Sequence, residues 1–189
     1  SEIVKGELKH PSQPDGVVDS LSRTARDLLL SLDRMLWAVN PRNDSLEELS
    51  AYLNRYGAEY FQNTPIRCRL DFPKNLPAIQ LSAETRHNIF LAFEEAVANA
   101  LKHSAATQVS AALSYDHGIV RISVVDNGRG FTVETQGEAV QQREAAGHMG
   151  LSGMSHRLHS VGGECQVTSS SGGGTVVRFI FPLPMTNAS

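Results

Sequence analysis

The chain has 189 residues, is 41% hydrophobic and carries a net charge of −3, so it can bury a core but has no basic stripe to hold a nucleic-acid backbone. Its two cysteines, Cys68 and Cys165, lie far apart without CxxC spacing. That argues against a disulfide framework or structural zinc site and fits a reducing, cytoplasmic compartment.

No apolar run approaches the roughly 18–20 residues of a membrane span, and no signal peptide is visible. Ser1 is not an initiator methionine. We therefore expect a piece of a longer parent, whose attachment to an inner membrane would depend on regions outside this sequence.

Residues 1–16 carry Gly6, Pro11, Pro14 and Gly16 and read as a loose segment. From residue 17 an apolar stripe recurs at helical steps through Val18, Leu21, Ala25, Leu28, Leu32, Met35 or Leu36, and Val39. Pro41 ends it. This helix fits either a globular core or a bundle; its place ahead of the remaining elements favours the bundle.

Asn43-Asp44-Ser45 is suited to cap a second helix over 46–61, with Leu46, Leu49, Leu53, Tyr56 and Tyr60 on a common side and Thr64-Pro65 beyond its end. Alternation from Ile66 to Phe72 predicts a strand. Ser82 and Thr85 start a long helix reaching about Ser104, with Ile89, Phe93, Ala96, Val97 and Ala100 as its apolar side. Strands over 108–115 and 119–126 flank the turn Asp116-His117-Gly118. Residues 127–149 read as one long mobile loop. A helix over 151–160 and strands over 164–170 and 175–182 complete an α+β order. We expect a two-layer α/β sandwich, a mixed sheet with helices on one face.

Four segments carry chemistry-bearing residues. Glu95, Asn99 and either Lys102 or His103 fall on one helical stripe. They offer a carboxylate, a neutral oxygen and a basic group there, although such a stripe is also an ordinary solvated face. Asp126 ends an apolar strand, where a carboxylate needs a hydrogen-bond donor such as the exocyclic amine of adenine. The Gly128 and Gly130 that follow permit a close backbone approach, or merely a turn. Gly147-His-Met-Gly150-Leu151-Ser-Gly153-Met154 opens a helix, whose free amides and dipole favour phosphate. It is neither a Walker A loop nor a dinucleotide fingerprint, and simple helix capping also explains it. Gly172-Gly-Gly-Thr175 is a hairpin turn that also leaves the Thr175 hydroxyl available.

In this order and spacing, the four segments resemble the N, G1, G2 and G3 boxes of the GHKL ATPase superfamily, which includes histidine kinases, gyrase-type topoisomerases, Hsp90 and MutL. The run Glu95 to Ser104 is similar to the N box of sensor histidine kinases of the NarX, DesK and LiaS type. The run Gly147 to Leu158 is similar to their G2 segment. The resemblance spans about residues 80–183. The stretch Leu36 to Leu49 also resembles the junction after the second dimerisation helix of such kinases.

The resemblance implies a Bergerat (GHKL) fold that binds ATP and Mg²⁺. Asn99 would ligate Mg²⁺, and Glu95 would position or activate the attacking group. Lys102 and His103 would approach phosphates. Asp126 would bind the adenine amine, with Gly128 and Gly130 shaping the pocket. Residues 131–149 would form a lid over the nucleotide. Gly150, Leu151 and Gly153 would line the nucleotide walls, and Thr175 would support the base. Residues 17–41 would be the second helix of a dimerisation and phosphotransfer domain, 42–185 the ATP-binding domain and 186–189 a tail. A response regulator and a second copy of the parent would be the partners.

The acceptor histidine of that family, followed by an acidic residue on the first dimerisation helix, has no match here. His10 precedes a proline, His87 and His103 lie within the nucleotide domain's helix, and His117 is in a turn. His148, His156 and His159 flank the lid and its helix. We therefore expect ATP binding without efficient self-phosphorylation. An anti-sigma-factor serine kinase and a degenerate nucleotide-binding module of the same superfamily are the alternatives. The bundle-like helix argues against the first, and intact Glu95, Asn99 and Asp126 argue against the second.

Overall fold

The computed structural model describes residues 43–132 and 149–183, together with Leu32, Leu36, Trp37 and Asn40. The chain divides into two units, Ser1–Trp37 and Ala38–Ser189. Of the first, Leu32, Leu36 and Trp37 are described; they are helical, with Leu32 and Leu36 exposed. Asn40 is described and is not helical; the other residues of the expected 17–41 helix, the loose segment 1–16 and the tail 186–189 lie outside the described residues.

The second unit runs α1 (Leu46–Phe61), β1 (Arg67–Asp71), α2 (Ala83–His103), β2 (Gln108–Asp116), β3 (Ile119–Asp126), α3 (Met149–Ser160), β4 (Glu164–Ser169) and β5 (Thr175–Pro182). Local chemistry explains the boundaries. The Ser45 hydroxyl accepts from Glu48 N–H at 3.2 Å and caps α1. The Ser82 hydroxyl accepts from Thr85 N–H at 3.0 Å and caps α2. After α1, Thr64 donates its hydroxyl to the Phe61 carbonyl at 2.9 Å, closing the helix end before Pro65. His117 and Gly118 both have positive φ, +46° and +79°, the pattern of the two-residue hairpin turn that matches strand twist.

The five strands form one mixed sheet in the order β1-β2-β3-β5-β4, with β1 parallel to β2 and all other pairs antiparallel. Period-two alternation decides its two faces. Val109, Ala111, Leu113, Val120, Ile122, Val124, Val177, Phe179 and Phe181 are buried, whereas Gln108, Ser114, Arg121 and Arg178 are exposed. The helices cover the buried face, giving the expected two-layer α+β sandwich. Leu46, Leu49 and Leu53 of α1 and Ile89, Phe90 and Phe93 of α2 fill the interface.

The stripe on α1 is wider than its leucine spacing suggests. Tyr52, Gly57 and Phe61 are buried with the leucines, while Tyr56 and Tyr60 are half-buried. Gly57 lets α1 approach β1: a Cβ there would sit 3.2 Å from Leu70 Cδ2. No helix among the described residues is long and apolar enough to cross a membrane.

Candidate functional site

At one end of the sheet the helix layer parts. A cavity of about 380 Å³ opens there between the C-terminal half of α2, the ends of β3 and β5, and the start of α3. Strand register builds its floor. Val124 lies abreast of Val177, and Asp126 abreast of Thr175, so two rows from the helix-covered face point into it. Its wall is Glu95, Ala96, Asn99, Ala100, His103 and Ser104, spaced along one side of α2. Ala96 and Ala100 are what keep it open, because larger side chains at these buried positions would fill it.

Asp126 is only 7% exposed, yet it lines the cavity. Its Oδ1 accepts from Gly128 N–H at 2.8 Å. Among the described residues Oδ2 has no partner. A largely buried aspartate that lines the cavity is suited to accept from a donor placed there. Thr175 holds its hydroxyl 3.1 Å from Ser169 Oγ, and Ser169 Oγ also accepts from Phe131 N–H at 2.9 Å.

On the wall, Asn99 donates its Nδ2 to Glu95 Oε1 at 3.0 Å. This bond orients the asparagine, leaving Oδ1 with no partner among the described residues. The charge on Glu95 also acts on α1. The Tyr60 phenol is held above its usual pKa first by burial, then by the charges on Glu94 and Glu95. The neighbouring Glu94 accepts from the Tyr56 hydroxyl at 3.2 Å. Thus two adjacent carboxylates have different surroundings: one is packed with the aromatic core and one borders the cavity. No group of three His, Cys, Asp or Glu able to hold a metal occurs among the described residues. Asn99 Oδ1 is a neutral oxygen of the kind that a hard cation accepts.

The segment after β3 differs from the expected free loop over 127–149. Its first residues are anchored. Asn127 Oδ1 accepts from Thr107 N–H at 3.0 Å and Gln108 N–H at 2.9 Å. Arg129 N–H donates to the Ser104 carbonyl at 2.7 Å and Arg129 Nε to the His103 carbonyl at 2.9 Å, closing the end of α2. Gly130, with φ +58°, lines the cavity, and a Cβ there would overlap the Ser170 carbonyl. Residues 133–148 lie outside the described residues, and with them most of the expected lid and His148.

Glu95, Asn99, His103, Asp126, Gly130, Gly150, Leu151 and Thr175 all line the cavity. Three other expected residues do not. Lys102 is exposed on the last turn of α2, where a cation suits the helix dipole. Gly128 is buried, and a Cβ there would run into the Ser104 backbone, so it serves the approach of the loop to α2. Gly153 borders an adjoining groove of about 210 Å³ with Leu91, Glu94, Met154 and Arg157. In addition, α3 begins at Met149, so Gly150 belongs to its first turn and does not precede it. Sequence reasoning missed Ser104, Arg129 and Phe131 as lining residues. Arg129 and Phe131 alternate with the glycines of the same loop, and that interleaving was the available signal.

The family described as histidine kinase-, DNA gyrase B-, and HSP90-like ATPase matches residues 84–185. The sensor histidine kinase LiaS of Bacillus subtilis (strain 168) is 27% identical over 114 residues, which cover 60% of this chain and 29% of LiaS. The nitrate/nitrite sensor protein NarX of Escherichia coli (strain K12) is 31% identical over 134 residues, covering 70% of this chain and 20% of NarX. The chain therefore spans less than a third of the length of these relatives. The histidine kinase domain of the Erythrobacter litoralis EL346 blue-light activated histidine kinase has the same fold, with a TM-score of 0.59 at 23% identity over 81% of this chain and 75% of that one. On the matched span and the shared architecture, this chain belongs to the histidine kinase-, DNA gyrase B- and HSP90-like ATPases.

Proposed function

We propose that the cavity binds ATP with Mg²⁺ and that the chain is the ATP-binding portion of a two-component sensor histidine kinase. The single observation that carries this is that one cavity brings together Asp126, on its floor, and Asn99, on its wall, whose Oδ2 and Oδ1 have no partner among the described residues. The first suits the exocyclic amine of adenine. The second suits a hard cation that shares phosphate oxygens. Thr175 supports the base beside Asp126, while Gly130, Gly150 and Leu151 shape the nucleotide walls.

When bound, Mg²⁺ offsets phosphate charge. The protein's part is then positioning and electrostatics. In this reading His103, which lines the cavity, donates to a phosphate oxygen, and Lys102 adds positive charge from the exposed side of the same turn. Glu95 positions or activates the acceptor. In the transfer, a bond forms between the γ-phosphorus and an imidazole nitrogen, the bond to the bridging β-phosphate oxygen breaks, and ADP leaves.

In this reading, residues 17–41 are the second helix of a dimerisation and phosphotransfer domain and 42–185 the ATP-binding domain. The acceptor histidine lies on a helical part of the parent outside this sequence. Exposed Leu32 and Leu36 support a helix that dimerises with a second copy. The phosphoryl group would pass on to a response regulator in the cytoplasm, and any membrane anchor would belong to other parts of the parent.

Titration of the chain with a fluorescent ATP analogue, with and without Mg²⁺, tests the reading. We expect Asn99→Ala to lose the Mg²⁺-dependent gain in affinity and Asp126→Asn to lose affinity with or without the metal. Parent-like binding of Mg·ATP by both variants would falsify the site. Incubation with γ-labelled ATP is expected to yield no stoichiometric phosphohistidine on this chain alone.

A further inference from the structure

Gly150 presents a problem of its own. It occupies the first turn of α3, where alanine is the better helix former, and its φ is not positive. Neither turn geometry nor helix propensity accounts for a glycine there. What it approaches does. A Cβ built on Gly150 would overlap Glu95 Oε1 and lie 2.9 Å from Glu95 Cδ and 3.4 Å from Glu95 Cγ, and these are its three nearest neighbours.

The other close glycines make room for different things. Gly128, Gly130 and Gly174 would each meet backbone first, Gly57 would meet a leucine and Gly173 a serine. Gly153, one turn further along α3, would meet nothing within 4 Å. Unlike these, Gly150 makes room for a charged side chain.

The oxygen concerned is the same Oε1 that accepts from Asn99 Nδ2 at 3.0 Å. We infer that Gly150 is a positioning residue: by lacking a side chain, it lets the Glu95 carboxylate sit between α2 and α3 in the place where it holds the Asn99 amide with its oxygen toward the cavity. The inference rests on the ATP and Mg²⁺ reading for its consequence, but its geometry concerns the ligand-free protein. The end of a glutamate side chain is free to move, so a methyl group at position 150 displaces Glu95 and leaves the helices where they are. Asn99 then loses its tether.

Gly150→Ala in the present chain tests this with two readouts. The first needs no ligand. We expect the Asn99 side-chain amide resonances, assigned by their absence in Asn99→Ala, to shift in Gly150→Ala. The second is the factor by which Mg²⁺ tightens ATP binding. It should fall about five- to tenfold, the scale of one lost polar tether. Unmoved Asn99 resonances overturn the inference, whatever the nucleotide does. Shifted resonances in a protein whose parent form binds no Mg·ATP uphold the positioning contact and sink the nucleotide reading instead. Should Gly150→Ala fold poorly, melting temperatures in a two-by-two cycle with Glu95→Ala decide the point. The methyl group should cost stability only when Glu95 is present, and an equal cost in both backgrounds would overturn the contact.

Discussion

The two halves of α2 follow one helical period but come to different ends. In the first half the inward stripe is Ile89, Phe90 and Phe93, closed by an aromatic cluster. Phe90 meets Tyr52 and Tyr56, each at 5.1 Å between ring centroids, and Phe93 meets Phe72 at 6.1 Å. In the second half the same stripe continues as Ala96 and Ala100, and the sheet beneath it carries Asp126 and Thr175. Side-chain volume makes the first half a packed core and the second the roof of a cavity. A binding site here is a stretch of core whose large residues have been replaced by alanines and by polar groups that need partners.

That comparison can be broken at either end. The largest effect is expected in the packed half. Phe93→Ala should cost about 3–5 kcal/mol of unfolding free energy, measured by urea denaturation, because α1 and β1 cannot collapse fully into the space. A loss under about 1 kcal/mol would mean that the aromatic end is no more packed than the cavity end.

Next comes the floor. Asp126→Asn should weaken ATP binding by about ten- to a hundredfold, as expected for a lost hydrogen bond to a charged group. An asparagine there still offers its oxygen to Gly128 N–H, so stability should change little.

Filling the roof sharpens the contrast further. Ala100→Leu restores the residue size of the first half, and it should lower ATP affinity about tenfold with an unfolding free energy within about 1 kcal/mol of the parent. Isothermal titration and urea melts on one sample check both. A large loss of stability with affinity retained would show that position 100 is core and not cavity.

The smallest effect lies away from both halves, on edge strand β4. Burial, and then the charge on Glu164, push the Cys165 thiol up to about 11. The unfolded chain releases that proton near the ordinary thiol value of 9.0, so the folded state holds more protons between these values. The contribution is complete below pH 9 and is lost as pH rises toward 11. Cys165→Ala should flatten part of the alkaline fall in stability, followed by melting temperature across that range.

Much of this was legible in the sequence because it depends on local periodicity. The stripe Ile89, Phe93, Ala96, Val97 and Ala100 is read from spacing alone, and all five are buried. The caps Ser45 and Ser82, the turn at His117-Gly118 and the alternation of β3 and β5 depend equally on near neighbours. The order of Glu95, Asn99, Asp126 and Thr175 along the chain, with the glycines around them, was enough for a family resemblance.

Other features needed the tertiary structure. Only strand register sets Asp126 abreast of Thr175 and Val124 abreast of Val177, because a sheet joins residues far apart in the chain. Only helix packing separates His103, on the cavity, from Lys102, on the outside of the same turn. Glycine is the clearest case, since a missing side chain carries no record in the sequence of what it makes room for. Gly128 faces the Ser104 backbone, Gly150 a carboxylate and Gly153 open space. The sequence by itself determined which chemical groups this protein owns and the periodicity on which they are mounted. The tertiary structure decided which of them share a cavity, because contact depends on packing between elements that the chain order leaves unspecified.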